Sequence, residues 1–150
     1  MVLALRYFEK HDAILEATYP YTSGVSKKKG ECKYAEDDHT KVEVASINNV
    51  TPDMSNQLKA AIKMGPVSVA IEADKTVFQQ YKTGVMDSVD CGTQLDHGVL
   101  AVGYGTLNGQ DFILVKNSWG PSWGDHGYLK IGLGSSNVCG ILSQPSYPME

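Results

Sequence analysis

The chain has 150 residues, of which 42% are hydrophobic and 20% are charged, and it contains 15 glycines. This composition is typical of a folded globular protein with many turns and excludes a disordered or fibrous chain. The formal net charge of -4 argues against electrostatic binding of nucleic acid. No apolar stretch approaches the roughly 18 residues that span a bilayer. We therefore expect neither nucleic acid nor a membrane as a partner.

The first fifty residues predict one helix and one strand separated by an irregular connection. Apolar residues at helical spacing predict a helix over residues 2–11, and its apolar stripe needs another element to pack against. Residues 17–40 are polar and rich in turn formers, which predicts a partly exposed connection. Residues 41–45 alternate as in a half-buried strand, and Asn48 and Asn49 predict that the chain turns away after it.

The middle of the chain predicts a helix followed by a strand. Thr51 as N-cap and Pro52 at the first helical position predict the helix start, and a glycine–proline pair at residues 65–66 predicts its end. Residues 67–71 then alternate as a strand does, and residues 78–82 predict a single helical turn. The apolar residues that recur on one face of the helix are Met54, Leu58, Ala61 and Ile62.

The last third of the chain predicts closely spaced strands at residues 97–104, 111–116 and 127–132, each bounded by glycine or proline. Residues 139–148 are predicted to form an extended tail. Because the helices come early and the antiparallel strands late, the predicted fold class is α+β with a β-rich second lobe.

One imidazole and one carboxamide lie at the ends of the two central predicted strands. His97 begins the first strand and Asn117 follows the second, so the strands would hold both side chains rigidly. A general base with a near-neutral pKa needs its far ring nitrogen held by an acceptor, and an amide oxygen does this without charge. A neutral orienter suits a thiol nucleophile, which already ionises near neutral pH. An isolated histidine is more often structural, so it is the pair that predicts a catalytic base.

Two tryptophans follow this pair closely in the chain. Trp119 and Trp123 supply flat apolar surface on either side of a glycine–proline turn. If His97 and Asn117 are catalytic, this surface shields their hydrogen bond from water. If they are not, the tryptophans are simply rim aromatics.

The cysteines and the remaining histidines predict no metal site. Cys32, Cys91 and Cys139 show no C-x-x-C spacing, and their odd number leaves one thiol without an internal partner. No metal or organic cofactor is therefore predicted. The other histidines lie in polar surroundings where solvated side chains are expected, namely His11, His39 and His126.

Two segments of the chain carry a family resemblance. Residues 95–105 are LDHGVLAVGYG and residues 115–120 are VKNSWG. In this order they resemble the histidine and asparagine boxes of papain-type cysteine proteases, and are most similar to those of the cathepsin L branch. The resemblance extends over essentially the whole chain.

The resemblance implies a papain-like two-lobe fold, here an incomplete helical left lobe and an antiparallel, barrel-like right lobe rich in strands. Residues 1–47 would be the remnant of the helical lobe. Residues 48–143 would form the β-rich lobe that carries the histidine and the asparagine. Residues 144–150 would be a tail returning to the first lobe, all within one peptidase domain.

The resemblance also implies roles for particular residues. His97 would be the base that pairs with the nucleophile, Asn117 its orienter, and Trp119 the cover over their hydrogen bond, with Trp123 in support. Gln144 stands where the family often has a small residue, so we hypothesise a shallower second subsite or one more tolerant of a polar group. The residues that would line this subsite are Met1, Ala70, Leu95, Asp96, Gly98 and Gln144.

The cysteines acquire roles by the same resemblance. It pairs Cys91 with Cys139 as a disulfide, and it pairs Cys32 with a cysteine of an upstream segment. In this family the nucleophile lies about 130–150 residues before the histidine and asparagine, yet His97 lies only 96 residues after Met1. The nucleophilic cysteine and the glutamine of the oxyanion hole are therefore expected upstream of this chain.

Two interpretations of the whole chain remain. It is either the carboxyl-terminal portion of a thiol endopeptidase or a complete papain-like pseudoenzyme with a binding or structural role, and the isolated chain is predicted to be inactive in both cases. The expected partners are a peptide or protein substrate, the missing N-terminal segment, and a propeptide or protein inhibitor. Disulfides and family membership imply a lysosomal, vacuolar or secreted setting.

Overall fold

The computed structural model describes residues 1–34, 40, 42, 44–134 and 136–149. Contacts within it divide the chain into two units. The N-terminal unit comprises residues 2–47 together with the last residues from Pro148, and the β unit comprises Met1 and residues 48–147. The strand predicted over residues 41–45 falls partly outside the described residues. His39, which was predicted to be solvated, lies outside them.

The described part of the N-terminal unit contains two short helices, α1 (Val2–Phe8) and α2 (Ser23–Ser26). The helix predicted over residues 2–11 thus ends earlier than expected, since residues 9 and 10 form a turn and the ring of His11 stacks on Tyr7 at a centroid distance of 4.3 Å. No residue of α1 is buried, and Leu3 is 80% exposed. The predicted apolar stripe is therefore present, with Val2, Leu5 and Phe8 half-buried and Leu3 and Tyr7 exposed.

The first helix of the β unit, α3 (Ser55–Ile62), begins later than its sequence predicts. Asp53 adopts a left-handed backbone conformation with φ 58°, and its N–H donates to the carbonyl of Leu142 at 3.0 Å. The carboxylate of Asp53 accepts a hydrogen bond from Asn137 at 2.9 Å. The prediction that Thr51 caps the helix is wrong, because Pro52 and Asp53 form a turn that these tertiary hydrogen bonds hold, and Met54 is the N-cap.

The second helix of the β unit, α4 (Thr76–Gln79), is a single turn that starts two residues before the predicted one. It buries Phe78 completely. In α3 the predicted apolar face is buried through Leu58, Ala61 and Ile62, whereas Met54 remains 46% exposed.

Among the described residues, seven strands form one sheet. Their bounds are β1 (Ser46–Asn49), β2 (Val67–Ile71), β3 (Val85–Met86), β4 (His97–Leu107), β5 (Gln110–Lys116), β6 (Tyr128–Gly132) and β7 (Ser146–Met149). Their order in the sheet is β1-β7-β2-β4-β5-β6-β3. The pairs β2–β4, β2–β7, β4–β5 and β5–β6 are antiparallel, and the short strand β3 pairs in parallel with β6. Strands β1 and β7 each include residues of both units.

The predicted turn at Asn48 and Asn49 and the predicted extended tail are both wrong in part. Asn48 and Asn49 lie within β1 rather than in a turn, because β1 is paired at the edge of the sheet. The tail over residues 139–148 is extended only in β7. Its first part is a 3₁₀ turn at Val138–Gly140, in which Cys139 has a positive φ of 54°.

The hairpin between β4 and β5 determines which residues meet at one end of the sheet. Asn108 and Gly109 form its two-residue turn with φ values of 51° and 82°, the conformation that matches the twist of antiparallel strands. Because the hairpin is antiparallel, the first residue of β4 and the residues just after β5 lie at the same end. His97 and Asn117 are these residues.

The core of the β unit is formed by alternate residues of its strands and the buried side chains of α3 and α4. This arrangement confirms the predicted α+β class. No helix in the described ranges is both long and apolar enough to cross a membrane. The fully buried aliphatic residues of the strands are Val67, Val69, Ile71, Ala101, Ile113, Val115, Leu129 and Ile131.

Candidate active site

His97 and Asn117 are positioned by backbone pairing on both sides. His97 pairs in register with Ile71 of β2. The N–H of Asn117 donates to the carbonyl of Gly127 at 3.0 Å, which joins the end of β5 to the segment before β6. Backbone pairing thus holds His97 within the sheet and Asn117 directly after the end of β5.

A side-chain hydrogen bond joins these two residues. Nε2 of His97 lies 2.8 Å from Oδ1 of Asn117, and the N–H of Ser118 donates to the same oxygen at 2.8 Å. An amide oxygen only accepts, so Nε2 is the protonated ring nitrogen. In the neutral imidazole Nδ1 is then an unprotonated acceptor, which is the state of a general base. Asn117 is only 8% exposed.

An aromatic cluster lies against the imidazole. The ring of Trp119 stacks on that of His97 at a centroid distance of 5.2 Å and an interplanar angle of 28°. Phe78 and Trp123 contact Trp119 edge to face, at 5.4 Å and 5.3 Å. The indole N–H of Trp123 donates to the carbonyl of Gln79 at 3.0 Å, which fixes the cluster to α4. Trp119 itself remains 41% exposed.

Several of the residues assigned to the second subsite lie next to one another. Gly98 of β4 pairs with Ala70 of β2. A Cβ atom on Gly98 would lie in van der Waals contact with Met1, at 3.5 Å from Sδ, so the methionine side chain lies next to the Gly98 backbone. Asp96 precedes this pair and accepts a hydrogen bond from the N–H of Ala73 at 2.8 Å. The structure therefore brings Met1, Ala70 and Gly98 together.

The remaining residues assigned to the subsite, Leu95 and Gln144, have other neighbours. Leu95 is half-buried, and a Cβ atom on Gly140 would collide with its side chain. Gln144 is exposed two residues before β7, where Ser146 pairs with Ser68 of β2.

The cysteines of the β unit are oxidised. Cys91 and Cys139 form a disulfide with a Cα–Cα distance of 4.8 Å, as the resemblance implies. Of the three cysteines in the sequence, this leaves Cys32 of the N-terminal unit as a free, exposed thiol. The β unit thus carries the hydrogen-bonded pair of His97 and Asn117, while both of its cysteines are used in the disulfide.

Sequence analysis missed Glu72, which directly follows β2. Glu72 is 1% exposed. Its carboxylate lies 2.8 Å from Nζ of Lys75 and accepts a hydrogen bond from the N–H of Gln94. The hydrogen bond from Lys75, followed by that from Gln94, holds the pKa of the Glu72 carboxyl below its usual value. The one sequence signal was the spacing of three residues between the acid and the lysine.

Comparison with known proteins shows the family to which the chain belongs. The family described as papain family cysteine protease matches residues 1–149. The chain belongs to this family, which confirms the resemblance and its papain-like fold.

Individual relatives show the same likeness. Cysteine proteinase RD21A of Arabidopsis thaliana is 43% identical over 154 residues, which cover 100% of this chain and 32% of the relative. The structure of digestive procathepsin L 3 from the larval midgut of Tenebrio molitor matches with a TM-score of 0.88 and 34% identity, covering 98% of this chain and 47% of that one.

A plant enzyme with a bound inhibitor is also similar. The Carica candamarcensis cysteine protease CMS1MS2, in complex with E-64, matches with a TM-score of 0.81 and 35% identity, covering 98% of this chain and 66% of the other. The chain spans only 32% to 45% of the length of the curated relatives it matches.

Proposed function

We propose that this chain supplies the general base and its orienter to a cysteine endopeptidase whose nucleophile lies in an upstream segment. The observation that carries the proposal is the hydrogen bond from Nε2 of His97 to Oδ1 of Asn117 beneath the Trp119 ring. It leaves Nδ1 of His97 available to a thiol. Family membership supports acyl transfer as the reaction class.

In the proposed reaction His97 transfers one proton during acylation and one during hydrolysis of the acyl-enzyme. The thiolate attacks the peptide carbonyl, and imidazolium at Nδ1 gives its proton to the leaving amine as the C–N bond breaks, which leaves a thioester. Nδ1 then removes a proton from water, and the hydroxide releases the carboxylic acid and the thiolate. Asn117 would keep the ring aligned throughout, and the neutral amide leaves the imidazolium free to pair with the thiolate.

An upstream segment is the partner this proposal requires. The β unit has no free thiol, and α1 of the N-terminal unit has no fully buried residue and leaves Leu3 and Tyr7 exposed. Both observations support a segment that brings the nucleophile, covers α1 and pairs with Cys32. The relatives are longer than this chain, which agrees with such a segment.

The substrate in this proposal is a peptide whose bulky apolar side chain enters a second subsite beside Gly98. The adjacency of Met1, Ala70 and Gly98 supports that position, with Leu95 and Asp96 preceding it in the chain. A propeptide or a protein inhibitor would occupy the same cleft, as the match to a procathepsin suggests. The disulfide supports a lysosomal, vacuolar or secreted location.

Covalent titration of the native protein that contains this chain tests the proposal. A thiol-directed peptide epoxide is expected to label one cysteine per molecule, and intact mass with N-terminal sequencing identifies the segment that carries it. The His97→Ala variant is expected to lose labelling, whereas His126→Ala, the matched control, retains it. Absence of labelling in the unsubstituted native protein would contradict the peptidase and favour the inactive papain-like protein.

A further inference from the structure

Glu72 is a buried charge at the point where β2 ends. Its side chain is 2% exposed, whereas its partner Lys75 keeps 45% of its side chain exposed. Burial of a carboxylate is unfavourable unless charged and hydrogen-bonding partners compensate it. A glutamate in such a place therefore needs an explanation beyond filling space, since an apolar residue would fill it at lower cost.

The carboxylate holds the segment that leads into His97. One of its oxygens accepts the N–H of Gln94, and the other contacts Nζ of Lys75 at 2.8 Å. Gly92 lies against the carboxylate so closely that a Cβ atom there would collide with it. The carboxylate thus contacts the approach to β4 at residues 92 and 94.

Two further hydrogen bonds continue this attachment toward the imidazole. The N–H of Ala73 donates to Oδ1 of Asp96 at 2.8 Å, and the N–H of Asp96 donates to the carbonyl of Ile71 at 3.0 Å. The next residue, His97, pairs with Ile71. Three hydrogen bonds therefore join residues 71–73 to residues 94–96. The bond between Glu72 and Gln94 is the one farthest from His97 along the chain.

We propose that Glu72 is a positioning residue for His97, which acts by holding residues 92–96 against the end of β2. The inference rests on the proposed function, because the value of a fixed imidazole depends on its acting as the base. Without the carboxylate, residues 92–96 lose the hydrogen bond at the Gln94 N–H, and Gly92 loses the group that packs against it. The ring of His97 then samples orientations in which Nδ1 is misaligned.

Glu72→Ala in the native protein tests this inference. The amide of Gln94 is expected to exchange its hydrogen at least about tenfold faster, because its acceptor is gone. The His97 ring is expected to show shifted and broadened NMR signals. The value of kcat/KM per titrated active site is expected to fall about 10- to 100-fold, the order of effect of a small displacement of a reacting group.

Two further variants make the outcome decisive. Asp74→Ala removes a 59% exposed carboxylate that contacts Lys75 at 3.2 Å, and it is expected to change kcat/KM less than about twofold. Glu72→Gln keeps an acceptor for Gln94 and is expected to recover part of the loss, and it remains informative if Glu72→Ala does not fold.

The inference is overturned if Glu72→Ala and Glu72→Gln only lower the unfolding temperature while the His97 signals and kcat/KM per titrated site stay unchanged. Failure of the proposed function gives a different result. In that case the unsubstituted protein is not labelled by the peptide epoxide, whatever the Gln94 exchange rate shows.

Discussion

Nε2 of His97 and Oδ1 of Asn117 lie 2.8 Å apart although 20 residues separate them in the chain. The two-residue hairpin turn and the pairing of β4 with β5 bring them to one end of the sheet. The same oxygen accepts the N–H of Ser118, so the amide orientation is set by two donors.

Asn117→Ala is expected to lower kcat/KM of the native protein about 10- to 100-fold, because the imidazole loses the acceptor that fixes its rotation. Activity normalised to titrated active sites measures the effect. Asn48→Ala, at an exposed position of β1, is the control and is expected to leave kcat/KM unchanged. Equal rates for the two variants would show that Asn117 does not orient the base.

Gln144→Ala is expected to deepen the second subsite and to shift the substrate preference of the native protein toward larger apolar side chains. The reason is that Gln144 stands where the family often has a small residue. A peptide-library profile measures the change, and Gln110→Ala at the β4–β5 hairpin is the matched control. The hypothesis fails if the unsubstituted protein already shows a deep preference for leucine or phenylalanine.

Gly92→Ala is expected to destabilise the protein more than Gly84→Ala does. Both glycines have positive φ values, 74° and 84°, and the Gly92 backbone, with ψ −167°, lies in a region that is essentially restricted to glycine, so each substitution carries a backbone cost of about 1–3 kcal/mol. Only the new Cβ at Gly92 also meets the carboxylate of Glu72, whereas Gly84 has open space around it. Urea unfolding compares the two variants, and equal free energies of unfolding would show that the carboxylate moves aside without cost.

Removal of the disulfide by Cys91→Ala with Cys139→Ala is expected to lower the free energy of unfolding. The cysteines are 48 residues apart in the sequence, and the chain-entropy model gives about 4 kcal/mol for a loop of that size. Urea unfolding measures the loss. Val89→Ala, in the same turn as Cys91 and 74% exposed, is the control. A loss no larger than the control's would mean that the bridge contributes little to stability.

The carboxylate of Asp111 is expected to make stability depend on pH in the acid range. Hydrogen bonds from Thr106 and then from Lys59 hold its pKa below the usual value. The folded state therefore binds fewer protons than the unfolded state, so this contribution is present above the unfolded pKa and is lost as pH falls through the folded pKa. Asp111→Asn should reduce stability near pH 6 and have little effect at strongly acid pH.

Urea unfolding at both pH values checks the sign of this dependence. Thr106→Val removes the first donor and is expected to weaken the pH dependence in the same direction. A variant Asp111→Asn that loses the same free energy at both pH values would instead indicate a loss that does not depend on charge.

Local pattern was enough to predict much of the β unit. The alternation at residues 67–71 predicts β2 with its buried residues, and the strands that carry His97 and Asn117 were predicted within a few residues. The histidine and asparagine boxes identified the family. These features depend on side-chain periodicity and short motifs, which are contained in neighbouring residues.

Other features were decided only by the tertiary structure. The start of α3 depends on the bonds of Asp53 to Leu142 and Asn137, and the buried carboxylate of Glu72 accepts a hydrogen bond from Gln94, 22 residues away. No local preference encodes such pairs, because the energy comes from groups that meet only when the sheet has formed. The sequence by itself thus determined the family and the candidate pair, whereas the fold decided which bonds hold His97 in place.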